Sequence, residues 1–128
     1  MPALLAVVLF VSPCKLVSQA QASAALGVKV GAPKVQTLGQ FQSCTYANGL
    51  TILTVQTRSI SKADFVTSAK ENPPPVKPVS IGGGSVAYSA GGGFSVLVWR
   101  NGTEATFSMV HGSTAQEIAL AKKVVSKI

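Results

Sequence analysis

The chain predicts an α+β fold, a single antiparallel β-sheet of about five strands packed against helices in the order α-β-β-α-β-β-β-α. Three observations predict it. Two Asn-Gly pairs, Asn48-Gly49 and Asn101-Gly102, each separate strand-like runs, the strongest short-range signal for a β-hairpin. Residues 15–26 and 114–128 instead repeat apolar residues at helical spacing between a start signal and a stop. Finally, 128 residues with 47% apolar and only 12% charged side chains are enough for one core without a metal. Residues 13–128 read as one domain, preceded by a signal-like apolar segment, 1–12.

That segment comes first in the chain. Ala3 to Ser12 would make a helix of about 15 Å, half of what a bilayer core demands, so no transmembrane span is expected. Its length suits the apolar region of a secretory signal, although no charged residue precedes it; a buried strand or helix of a cytoplasmic protein is the competing reading. Three roles are open to Cys14, which follows. A lipid anchor needs a small residue before the cysteine, and Pro13 stands there. Cleavage at Ala20-Gln21-Ala22 or Ala22-Ser23-Ala24 would discard Cys14 and strand Cys44, the only other cysteine. Against cleavage, Lys15 to Leu26 reads as a helix, started by Ser12-Pro13, lined by Leu16, Ala20 and Ala24, and stopped by Gly27. Two retained cysteines in an exported chain favour a disulfide.

The stretch PCKLVSQAQASAALGVKVGAPK, then QSCTYANG, IGGGSVAY and a closing ALAKKVVSKI, resembles a family of small exported bacterial proteins and lipoproteins of unknown function. The resemblance covers about residues 13 to 128. It implies pairing of Cys14, which opens the first helix, with Cys44 in the first strand, and an exported location. It carries no catalytic residues. The family's Gly-rich segment usually has an acid after its glycines, whereas this chain has Gly83, Gly84 and Ser85.

Further along, the Asn48-Gly49 hairpin would set Cys44 opposite Leu53. Ser61 three residues before Asp64 resembles a capping box and opens a short helix bearing Phe65 and Ala69, which the prolines from Pro73 end. Pro73 to Pro78 reads as a stiff extended linker, and Gly82-Gly83-Gly84 opens a strand through Val86 and Tyr88. The Asn101-Gly102 turn fixes a register: Arg100 opposite Thr103, Val98 opposite Ala105, Val96 opposite Phe107 and Phe94 opposite Met109 form one apolar face. Trp99 opposite Glu104, Leu97 opposite Thr106 and Ser95 opposite Ser108 form a mixed face. Thr114, with Glu117 three residues on, caps the last helix, whose buried side is read as Ile118, Ala121, Val125 and Ile128.

The chemistry in the sequence is sparse. Gly82 to Ala87 formally matches a dinucleotide fingerprint, but strand and turn follow where that motif needs a helix. Asn101-Gly102-Thr103 has the form of a glycosylation sequon and reads as the hairpin turn. One His and four scattered acids predict no metal site and no cofactor. His111, on the side of Phe107 and Met109, is expected to be a hydrogen-bonded structural histidine. A net charge of +7 favours weak contact with anionic envelope surfaces, while the absence of a basic stretch interleaved with aromatics argues against nucleic acid.

These residues predict an exported, periplasmic or extracellular, non-catalytic binding module. Its partner, a protein or a small apolar ligand, is expected on the face of Trp99, Leu97 and Glu104, extended by Tyr88, if helices cover the other face and leave this one in water; the competing reading is that the first helix or the Pro-rich linker folds over this face and makes Trp99 ordinary core. The alternatives are a small secreted hydrolase using His111 as base, and a structural envelope protein.

Overall fold

The computed structural model describes residues 11–72, 74–91 and 95–128, so most of the N-terminal apolar run and the expected Phe94–Met109 pair lie outside the described residues. The fold is a mixed one built on one antiparallel sheet, with seven strands rather than about five. Its elements are α1 (Pro13–Leu16), α2 (Gln19–Leu26), β1 (Lys34–Leu38), β2 (Phe41–Asn48), β3 (Thr51–Ser59), α3 (Lys62–Lys70), β4 (Lys77–Pro78), β5 (Val86–Ala90), β6 (Ser95–Arg100), β7 (Thr103–Val110) and α4 (Thr114–Val124), closed by a 3-10 turn, Val125–Lys127. The spatial order is β1-β2-β3-β7-β6-β5-β4. Two meanders, β1 to β3 and β4 to β7, thus join where β3 pairs with β7.

The first expected helix is two helices. Ser18 breaks it: its hydroxyl accepts from Gln21 N–H, and Gln21 Oε1 accepts from Ser18 N–H, a complete capping box that starts α2 afresh. Carbonyls freed at the break find tertiary donors, with Tyr46 Oη–H bonding Val17 O at 2.6 Å and Lys127 Nζ bonding Leu16 O at 3.3 Å. Burial falls on Leu16, Val17, Ala22 and Leu26, whereas Ala20 and Ala24 are exposed. Gly27 ends α2 at φ 73°, as its position predicts. The disulfide Cys14–Cys44 ties α1 to the sheet.

Two strands are additions to the expected order. In β1 every residue is exposed, so it carries no buried alternation to reveal it. In β4 only Lys77 and Pro78 pair, opposite Ser89 and Tyr88, at a sheet edge where a proline is tolerated. Cys44 therefore lies in the second strand. The β2–β3 turn is Gly49-Leu50, not Asn48-Gly49: Asn48 pairs with Thr51, and its side chain is held by donating to Lys29 O at 2.7 Å. Cys44 consequently faces Val55, and Tyr46 faces Leu53. The change of two positions leaves every side chain on its expected face.

In the β6–β7 hairpin all expected pairs among the described residues form. Asn101 and Gly102 take φ of 53° and 81°, the left-handed geometry a two-residue turn requires. α3 begins where expected, with Ser61 Oγ accepting from Asp64 N–H. The cap of α4 is Ser113 rather than Thr114, and it accepts from Gln116 N–H. The buried stripe is Glu117, Leu120, Ala121 and Val124, continued by Val125 and Ile128 as expected, and Ile118 lies at its margin.

The helices divide between the two faces of the sheet. On the first, α1, α2 and α4 bury Leu16, Leu26, Leu120 and Val124 against Tyr46, Leu53, Val55, Val96, Val98 and Phe107. On the second, α3 sets Phe65 and Ala69 on Leu97 and Ala90, with Val86, Tyr88 and Trp99 packed around them. Topology places α3 there, because the chain leaves β3 at the centre of the sheet and must reach β4 at its far edge.

Candidate functional site

The side chains expected to form an open patch sit on one face, as the hairpin register requires, but α3 covers them. Leu97 is only 7% exposed and Glu104 only 4%. Tyr88 is half-buried, its ring 6.0 Å from that of Phe65. Trp99 is also half-buried, and its Nε1–H donates to Ile60 O at 2.8 Å. The expectation that Leu97 and Trp99 face water is thus corrected, since Phe65 and Ala69 occupy the place assigned to an apolar partner. Glu104 is fully engaged as well. It pairs with Arg58 at 2.9 Å and accepts from the Thr106 hydroxyl at 3.2 Å, while Arg58 also donates to Ser68 of α3 and stacks over Phe41.

Beyond this network the second face is open. Register aligns polar side chains in two rows across the strands: Gln36, Ser43, Gln56 and Thr106 in one, and Lys34, Thr45, Thr54, Ser108 and Ser95 in the other. Ser43 is buried, Gln36 and Lys34 are exposed and the rest are half-buried. The Thr45 and Thr54 hydroxyls lie 3.5 Å apart. Hydroxyls and amides both donate and accept, and a sheet holds them at a strand spacing of about 4.8 Å, so apart from Lys34 at the β1 end the rows present neutral hydrogen-bonding groups on a rigid floor. None was singled out in the sequence, because Thr, Ser and Gln on the outward face of a strand are what solvent alone would select.

The other titratable groups are dispersed. His111 is exposed at φ 61° in the turn after β7, not packed beside Phe107 and Met109: the strand ends at Val110, and the left-handed backbone turns the ring away. Asp64 belongs to α3, across the sheet from α4. No group of three or more potential metal ligands gathers among the described residues. Glu117 is the surprise. It is 0% exposed, its Oε2 accepts from Met109 N–H at 2.9 Å, and its Oε1 has no partner among the described residues. Burial pushes its carboxyl up to about 7, against the opposing pull of that amide. Gly112 lets the turn close here, because a Cβ would come within 2.6 Å of Met109 Cβ. A signal for Glu117 does exist in the sequence: it falls in register with Leu120, Ala121 and Val124 at helical spacing.

On the first face, a cleft of about 180 Å³ lies between α2 and α4, with Gln21, Gln116 and Lys123 around alanines and Leu120. No helix among the described residues is long and apolar enough to cross a membrane. Comparison of the chain with protein-family models, with curated proteins and with solved structures finds no significant match.

Proposed function

We propose that the chain is a non-catalytic, exported binding module, and that it contacts its ligand through the open polar half of the second sheet face. The observation that carries this is the pair of cross-strand rows, partly exposed except at Ser43, beside a helix that buries the apolar half of the same face. Such a floor fits a neutral, polyhydroxylated ligand such as a glycan chain, whose hydroxyls offer the same two-way hydrogen bonding. Trp99 and Tyr88 keep a supporting place at the border of α3. The disulfide between Cys14 and Cys44 supports export, since such bonds persist in oxidising compartments. The resemblance to small exported bacterial proteins points the same way.

The test is a titration of isotope-labelled protein with neutral oligosaccharides of glucose, N-acetylglucosamine and mannose, followed by amide chemical shifts. Perturbations should gather on Thr45, Thr54, Gln56 and Ser108, and Thr54→Ala should weaken them without changing the fold. Shifts confined to the α2–α4 cleft, or no shifts at millimolar sugar, would sink this assignment.

A further inference from the structure

The chain's charge is unevenly placed. Of its eleven basic residues and four acids, α3 and its C-cap carry Lys62 and Lys70 against Asp64 and Glu71 and so balance. Arg58 is matched by Glu104. Arg100 is spent on main-chain oxygens, donating to those of Gly83, Val125, Ser126 and Ile128. The layer of α1, α2 and α4 is different. It displays Lys15, Lys29, Lys122, Lys123 and Lys127, all exposed, and the acid it contains, Glu117, is buried. Lys34 and Lys77 stand exposed on the two edge strands, so the helical side carries five positive charges and no surface acid, while α3 on the other side is neutral.

We infer that this lysine layer docks on an anionic lipid bilayer. Three features favour a bilayer over a polyanionic chain. Only Lys123 of the five lines the cleft between α2 and α4, and no aromatic side chain stands among them to stack a base. They are lysines, point charges suited to a diffuse negative surface, with none of the arginine forks that grip individual phosphates. The described chain also enters through this layer: Val11 packs on the first core just ahead of α1, and the sequence upstream, Ala3 to Phe10, is wholly apolar. One apolar segment together with a basic patch is the combination that holds a peripheral protein at a surface, where either alone binds marginally. Docked this way, the protein turns its polar sheet face away from the lipid. The inference does not depend on what that face binds.

The full chain, with its disulfide intact, would be mixed with vesicles of phosphatidylcholine alone and of phosphatidylcholine containing phosphatidylglycerol. The first measures what the apolar segment contributes; the difference between the two measures the lysines. Each lysine near an anionic surface is worth about fivefold in partition, so K15Q/K122Q/K123Q should lower binding to the anionic vesicles by roughly 100-fold and leave the neutral ones unchanged. K62Q/K70Q on α3 should change neither. Half-molar salt should abolish the preference for phosphatidylglycerol. Lys127 is left alone because it holds Leu16 O and Gln21, and circular dichroism of each variant verifies the fold. Equal binding to both vesicles, a preference undiminished by the triple substitution, or tighter binding of duplex oligonucleotide or dextran sulfate than of vesicles would overturn the inference.

Discussion

Glu117→Gln should abolish a fall in stability that the wild-type protein shows between mildly acidic and mildly alkaline pH. The carboxyl is held at about 7 in the folded chain against an ordinary value of 4.5, because burial penalises its charged form. Below pH 4.5 both folded and unfolded chains carry the proton, and the group costs nothing. As pH rises, the unfolded chain releases the proton first, so folding becomes less favourable until the folded carboxyl also ionises near 7. A difference of about 2.5 units corresponds to about 3 kcal/mol, lost between pH 4.5 and pH 7 and constant above that. The Met109 amide offsets part of the burial cost, a pull already contained in that value, and no ion pair to Glu117 is seen among the described residues. Glutamine keeps an oxygen for Met109 N–H and resembles the protonated acid at Oε1, so the variant should match wild type near pH 5 and exceed it near pH 8. Urea unfolding followed by Trp99, the one tryptophan, would measure this across the range. A flat wild-type profile, or equal slopes in wild type and Glu117→Gln, would refute the reasoning.

Two further outcomes are expected. Cys44→Ala should lower stability by about 2 to 5 kcal/mol, since the bond closes a loop with a sequence separation of 30, and a non-reducing digest of native protein should release the peptides of Cys14 and Cys44 linked together. Phe107→Ala should cost about 3 to 5 kcal/mol from the first core, whereas Thr106→Ala on the opposite face should cost about 1 kcal/mol, the loss of its hydrogen bond to Glu104, with both read by chemical denaturation.

The elements legible in the sequence were those whose cause is local. The β6–β7 hairpin follows from Asn101-Gly102 and a two-residue period, and α3 follows from the Ser61 cap with Phe65 and Ala69 one turn apart. Where local signals competed, neighbours far along the chain decided. Asn48 was drawn out of its turn by Lys29 O, and the break at Ser18 was stabilised by Tyr46 and Lys127, donors that the local sequence cannot show. β1 escaped because it buries nothing, and Glu117 because an acid in the first turn reads as the partner of a capping box before it reads as part of the apolar stripe.

By itself the sequence determined which side chains share a face, because strand alternation and helical repeat are properties of the backbone and survive a turn displaced by one residue. It also set the excess of lysine over acid and supplied the two cysteines. Only the tertiary structure decided which face is covered. The route of the chain from β3 to the far edge laid α3 over Leu97, Tyr88 and Trp99 and left the hydroxyl rows open. The same packing gathered Lys15, Lys122 and Lys123, distant in sequence, onto one side, because helices that bury their apolar stripes against a common sheet must turn their charged sides outward together.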